Sequence, residues 1–377
     1  MTTVTMGITS QHLLTNQSPP VTRSNGRTTP VVRIWFNRAY STTMHIIGLL
    51  RANPDGSPVH ILGTHSDPDS PVLTACDVTE AEPDDEVVGD DYVEWALDVC
   101  RRHAVEVFVP RLHLDVVAAA RARFTAAGVS LVAGPAGAAR FLEDKAAAYA
   151  DAVTAGLAVP PWHVVRSGSE LVSAHEELSR FGVVCLKPVT GVGGAGFRVL
   201  TTEPLALEEV LTFPSDVARV DEVAASLDAW ARSGQPVPPL LLMPFLTGPE
   251  VSVDCLGDED GAMLAAVPRT KLSRRRLLVD DPGAVDVART IVARHRLSSL
   301  SNTQVRYWCH PDLDAAPRPY LLETNARISG GLHQTALAGV NLPWAAVLLA
   351  LGRPVVLPEP VLDVAFTTVS TPVRLAR

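Results

Sequence analysis

Short apolar runs rich in Val, Ile and Phe alternate with helically spaced apolar positions from residue 31 to about residue 135. Residues 31–36, Val-Val-Arg-Ile-Trp-Phe, read as a strand, and 59–62, 105–109 and 129–132 as three more. A helical pattern over 44–51 is stopped by Asn53-Pro54-Asp55-Gly56, 92–103 is amphipathic, and 114–127 is a further helix ended by Gly128. Strands alternating with helices predict a parallel sheet covered on both faces, closing near Ala133-Gly134-Pro135.

From residue 136 the pattern changes. It predicts a helix over 141–154, a strand over 162–165 and a helix over 170–180. The strand 183–188 then enters a glycine-rich loop and returns through 197–200 as a hairpin. Residues 201–239 read as mostly helical, followed by strands at 240–243, 251–256, 262–267, 302–309 and 320–324. No internal repeat is visible. The predicted fold class is therefore α/β followed by α+β.

The chain has 377 residues, a length that suggests about two or three domains. With 47% hydrophobic and 19% charged residues it belongs among cored globular proteins and not disordered ones. Its formal charge of −9 argues against a sequence-independent nucleic-acid binder, which needs a dominant basic face. Five scattered cysteines without a C-x-x-C pair exclude a disulfide framework or cysteine zinc site and favour a reducing compartment. No apolar run approaches the roughly 20 residues that span a bilayer. Residues 1–30, rich in Ser, Thr, Asn and Pro, read as a flexible tail and not a signal peptide, so a cytoplasmic location is expected.

The first strand runs into Asn37-Arg38-Ala39-Tyr40-Ser41-Thr42 and not into G-x-G-x-x-G, so no dinucleotide fingerprint is present. Ser41 or Thr42 is expected to cap the following helix, with anion binding there as the alternative. Between the hairpin strands, residues 190–196 hold Gly191, Gly193, Gly194 and Gly196. Glycines allow backbone N–H groups to approach polyphosphate oxygens, although a flexible turn accounts for them as well. Lys187, three residues upstream of Thr190, adds an ammonium suited to phosphate charge. Lys145 alone would read as a surface lysine. Glu323 and Asn325, two apart on a strand, face one side, and Gln304 on the neighbouring strand can point into the same space. An all-oxygen set of this kind suits Mg²⁺, and Arg327 would add a planar donor fork for a phosphoryl group.

Asp144-Lys145, Leu186-Lys187-Pro188, the glycine flap, the stretch from Gly248 to Asp254, Gln304 and Glu323-Thr324-Asn325-Ala326-Arg327 occur in the order found in ATP-grasp ligases. The resemblance covers about residues 140–350. The Gln, Glu, Asn, Arg set most resembles the branch of carbamoyl-phosphate synthase, biotin carboxylase and several amino-acid ligases. It implies a pre-ATP-grasp domain over 31–135 and a two-subdomain ATP-grasp over 136–377, with a small nucleotide-covering part at about 160–245. It further implies that Lys145 and Lys187 bind the α- and β-phosphates of ATP and that the flap closes over them. A hinge of Met243, Pro244, Phe245 and Leu246 would read the adenine edge, although Pro244 removes one donor. Glu250 would lie near the nucleotide, Gln304, Glu323 and Asn325 would hold Mg²⁺ or Mn²⁺, and Arg327 would act with Lys187 on the phosphoryl group.

The activity so implied is ligation of a carboxylate to an amine or thiol through an acyl phosphate, with release of ADP and phosphate. The alternatives are a bicarbonate-phosphorylating enzyme of the carboxylase or carbamoyl type, and a nucleotide-binding sensor without catalysis. The N-terminal unit is also similar to ATP-grasp proteins of bacterial stress-response operons. Five cations in residues 269–276 read as a solvated loop, with Arg269 or Lys271 attracting a carboxylate substrate as the functional alternative. Ser329 and Gly330 would let a substrate approach the backbone, a helix is expected near Leu332, and His333 reads as a structural histidine or a proton carrier. A homodimer is the expected assembly, with no nucleic-acid or membrane partner.

Overall fold

Val32–Asn37 (β1) is buried along almost its whole length because it has parallel neighbours on both edges and covered faces above and below. The structure, a computed structural model, describes residues 30–191, 194–212, 215–272, 275–369, 371, 372 and 374. Residues 1–29 of the tail expected over 1–30, Gly193 and the Lys271 side chain lie outside the described residues. Val59–His65 (β2), Val78–Ala81 (β3), Val107–Val109 (β4) and Ser130–Leu131 (β5) complete a wholly parallel sheet in the order β3-β2-β1-β4-β5. The strand β3 is absent from the sequence reading because its four residues, Val-Thr-Glu-Ala, are half exposed and only weakly apolar.

One face of this sheet packs Trp35, Phe108, Tyr92 and Phe124 together, with Trp35 stacked on Phe108. The other face has no private core. Ile34, Phe36, Ile46 and Ile47 join Leu256, Leu300, Trp344 and Val347 in one continuous apolar cluster. The helix expected over 114–127 is two segments, Leu114–Ala119 and Arg121–Ala126, separated where Ala120 leaves helical geometry at ψ 11°.

A second sheet contains His163–Val165 (β6), Val184–Pro188 (β7), Arg198–Thr201 (β8), Val217–Arg219 (β9) and Leu240–Pro244 (β10) in the order β6-β10-β7-β8-β9. Helices Gly168–Leu178 and Val220–Arg232 bury Leu171, Leu178 and Leu227 against it. The third sheet is antiparallel throughout: Glu250–Gly257 (β11), Met263–Leu272 (β12), Arg275–Leu278 (β13), Ser299–Trp308 (β14), Arg318–Asn325 (β15) and Val364–Thr367 (β16). Its order is β15-β14-β11-β12-β13-β16. Of the cationic run read as a loop, residues 269–272 are instead the paired end of β12 and residues 275–276 the start of β13, with Arg269 opposite Leu278, while 273 and 274 lie outside the described residues. Pro282–Arg294 covers this sheet as a helix capped by Asp281, whose carboxylate accepts from the Ala284 N–H.

The fold is thus a parallel α/β unit followed by two further sheets, as the sequence pattern implies. No described helix is long and apolar enough to cross a membrane.

Candidate functional site

The helix expected over 141–154 breaks at Asp144, and the break is what places Lys145. Asp144 is extended at ψ 96°, ends Ala138–Glu143, and caps Lys145–Thr154 by accepting from the Ala147 N–H at 2.9 Å. Lys145 becomes the first residue of the second helix, and its backbone N–H donates to the Val189 carbonyl at 3.1 Å. Its side chain is 6% exposed, and Nζ donates to the Gly191 carbonyl at 3.1 Å while lying 3.9 Å from Glu323 Oε2. This is a buried ammonium, not the surface lysine that its position alone suggests.

Lys187 arrives from β7. Its Nζ donates to Tyr149 Oη and to the Leu322 carbonyl, each at 3.3 Å, and Tyr149 Oη donates to that same carbonyl at 2.9 Å. Tyr149 stands one helical turn after Lys145, so the two side chains leave the helix on one face. The carbonyl is available because the β14–β15 register shifts: Gln304 faces Glu323 and Val305 faces Leu321, leaving Leu322 without an opposite residue. Burial lowers the pKa of both lysines from the ordinary value, opposed chiefly by the charge of Glu323. Burial also drives the Tyr149 phenol well upward, so it stays a neutral donor.

Glu323 and Asn325 share a face as expected, with Asn325 Nδ2 donating to Glu323 Oε1 at 3.2 Å. Gln304 lies directly across from Glu323, and its Nε2 donates to Asn302 Oδ1 at 3.4 Å. One carboxylate with two amide oxygens is an incomplete shell for a hard cation, and no group of three His, Cys, Asp or Glu residues exists among the described residues. That set fits Mg²⁺ when nucleotide phosphates supply further oxygens.

The loop glycines have a definite geometric need at Gly196, whose φ is +78° and where a Cβ would stand 2.8 Å from the Pro188 ring. At the expected hinge, Pro244 has no N–H and the Phe245 N–H donates to the Val183 carbonyl at 2.7 Å. Neither can donate to an adenine edge, while Met243 and Leu246 are buried beside them. Glu250 opens β11 exposed and in register with Arg306.

Arg269 and Ser329 are committed elsewhere. Asp254 is fully buried and accepts from Arg269 Nε at 2.8 Å, Ser329 Oγ at 2.6 Å and Asn302 Nδ2 at 2.8 Å. Gly331 is required beside it, since a Cβ there would meet the Arg269 guanidinium at 2.6 Å. Gly330 is exposed near Thr42. His333 stacks on His45 at 4.7 Å, and burial, then His45 and Arg269, push its pKa down to about 4. The expected helix near Leu332 is the 3-10 turn Leu332–Ala338. Nor does a cap form at Thr42. It makes no side-chain bond, and the first N–H groups of Thr43–Arg51 donate to the carbonyls of Tyr40, Ser41 and Thr42, which leaves none for an anion.

Arg327 is near the parallel unit, its Nη1 donating to the Ile328 carbonyl at 3.4 Å. Tyr149, Asn302 and Arg111 are not among the site residues that the sequence points to, and Asp254 enters there only as the end of the stretch from Gly248; of the first three only Tyr149, at helical spacing from Lys145, carried a signal.

Residues 236–372 match a protein family described as ATP-grasp in the biosynthetic pathway with Ter operon. No curated protein sequence matches the chain. Among solved structures, an ADP complex of N5-carboxyaminoimidazole ribonucleotide synthetase is similar at TM-score 0.62 and 15% identity, covering 90% of this chain and 81% of that one. Biotin carboxylase of Campylobacter jejuni gives TM-score 0.59 at 14% identity, over 86% of this chain and 71% of that one. N5-carboxyaminoimidazole synthetase of Staphylococcus aureus gives 0.60 at 12% identity, over 87% and 78%. The chain thus shares the fold of these enzymes across nearly all of its described length, and its residues 236–372 match the ATP-grasp family model.

Proposed function

We propose that the chain is an ATP- and Mg²⁺-dependent ligase that activates a carboxylate as an acyl phosphate and passes it to an amine or thiol. The observation that carries this reading is the convergence of two ammonium groups, the buried Lys145 and the half-buried Lys187, on the strand end that bears Glu323 and Asn325. Buried cations without a closely bonded carboxylate are costly unless an anionic ligand completes them. In this reading residues 31–135 and 136–377 are the two domains, and 160–245 covers the nucleotide. Lys145 and Lys187 bind phosphate oxygens, the glycine loop shuts water out, and Arg327 steadies the transferring phosphoryl group. Mg²⁺, held by Glu323, Asn325 and Gln304, supplies charge neutralisation. The likeness to one carboxylase and two synthetases supports a second reading, in which bicarbonate is the acid that is phosphorylated.

Phosphate release from ATP and Mg²⁺ across a panel of amino acids, small carboxylic acids and bicarbonate tests both. ADP formation that needs an acid and a nucleophile together supports ligation. ADP formation driven by bicarbonate selects the second reading. Tight nucleotide binding with no turnover under any combination overturns both in favour of a sensor.

A further inference from the structure

The strand order of the parallel sheet reverses at β1, whose neighbours β2 and β4 are reached by connections running in opposite directions. In open α/β sheets such a reversal leaves a crevice beyond the carboxyl ends of the two strands, where ligands bind. The residues that follow β1 and β4 here are Arg38 to Tyr40 and Pro110 to Arg111. Of these, Tyr40 and Arg111 line a cavity of about 420 Å³ whose far wall is Asn325 to Arg327.

Arg111 is the unusual group in that cavity. Asn37, fully buried, holds its loop by accepting from the Arg111 N–H and donating to the Leu112 carbonyl at 3.0 Å. The guanidinium donates from Nη1 to the Ile328 carbonyl at 2.7 Å, lies 5.4 Å from the Tyr40 ring, and leaves a buried Nε with no acceptor. Arg327 donates to the same Ile328 carbonyl. Two guanidinium groups therefore converge on one carbonyl, and no carboxylate pairs with either among the described residues. The acidic groups nearby are Asp115, engaged by Arg140, and the exposed Glu143. Burial and the repulsion of Arg327 depress the Arg111 pKa to about 10, still charged at neutral pH.

We propose that Arg111 and Arg327 form the subsite for the carboxylate of the acid substrate, so that the parallel unit recognises the acid while the two lysines hold ATP. Leu112, Leu114, Val116 and Ala139 give the cavity an apolar wall beside the polar Thr324 and Arg140, which suits a small carboxylic acid with a short aliphatic body. The inference rests on the ligase reading, because Arg327 must also face the transferring phosphoryl group. A carboxylate placed between the two forks satisfies the stranded Nε and stands beside Asn325. The same oxyanion chemistry would serve the γ-phosphate of ATP, and the two sources are separable.

The test is calorimetric titration of glutarate into the full chain saturated with Mg²⁺ and a non-hydrolysable ATP analogue, alongside titration of the analogue itself. The parent is expected to bind glutarate, Arg111→Gln to weaken it about tenfold or more, and Arg111→Lys to weaken it less, with analogue affinity unchanged throughout. Tyr40→Leu, at an exposed position that leaves folding undisturbed, should weaken glutarate a few-fold, as loss of a ring beside the guanidinium predicts. A parent that fails to bind glutarate, or variants that bind it equally well, overturns the subsite. Loss of analogue affinity in Arg111→Gln assigns Arg111 to the γ-phosphate and also overturns it. Failure of the parent to bind the analogue at all would instead sink the ligase reading beneath it.

Discussion

The Lys187 ammonium and the Leu322 carbonyl meet at 3.3 Å across two different sheets. Lys187 is on β7 and Leu322 on β15, so this bond, with Tyr149 beside it, joins the second sheet to the strand that carries Glu323. The carbonyl can accept both donors because the register shift removes it from its own ladder.

Tyr149→Phe should therefore do more than remove a hydroxyl. The Leu322 carbonyl keeps one donor and Lys187 loses an acceptor, at a cost of about 1 kcal/mol in unfolding free energy. A lower urea midpoint with an unchanged slope checks this, and MgATP affinity should fall a few-fold as Lys187 loses its fixed position. An unchanged midpoint would mean that the hydroxyl is idle.

Glu323→Ala should abolish Mg²⁺-dependent phosphate release while leaving the circular dichroism spectrum intact. Glu323 is the carboxylate of its set and also faces Lys145. Phosphate release at the parental rate would refute the metal assignment.

Arg269→Ala strips the cation from a fully buried Asp254 and should destabilise the fold by about 3–5 kcal/mol. Arg269→Met combined with Asp254→Leu removes both charges and should recover much of that loss. Ser329 and Asn302, which also bond Asp254, keep the recovery from being complete. If Arg269→Ala were as stable as the parent, Arg269 would be free to serve a substrate after all.

The buried His333 sets the sign of an acid effect. Its folded pKa of about 4 lies below the ordinary 6.5, so the unfolded chain takes up a proton between those values and the folded chain does not. Stability is complete above pH 6.5 and declines as pH falls toward 4, by no more than about 3 kcal/mol from this group. His333→Gln should flatten unfolding free energy over that interval, as measured by denaturant melts at stepped pH. A slope unaltered by the substitution would place the acid sensitivity elsewhere.

How much of this was readable in advance follows physical lines. Strands such as β1 and the lysine-bearing β7 announce themselves through local composition, and Glu323 and Asn325 through the two-residue period. The Leu322 carbonyl does not, since a register shift is a relation between two strands and belongs to neither sequence segment. Leu342–Ala350 escaped because it is apolar all round, Leu-Pro-Trp-Ala-Ala-Val-Leu-Leu-Ala, and has no polar face to give a helical period. Arg111 escaped because an arginine after a short strand gains meaning only from Arg327, far away in sequence. The cationic run misled in the opposite direction: Arg269 looked solvent-borne until Asp254, across the β11–β12 pairing, was placed beneath it.

The undivided apolar cluster beneath the parallel sheet has a consequence for synthesis. Asn341 Nδ2 donates to the Leu49 carbonyl, and Trp344 Nε1 to Asp55, across sequence separations of 292 and 289 residues. The parallel unit, synthesised well before Leu342–Ala350, thus waits for that helix before Ile34, Phe36, Ile46 and Ile47 are sheltered. A ribosome stalled before residue 340 would hold a nascent chain with an oily underside, a natural client for a chaperone.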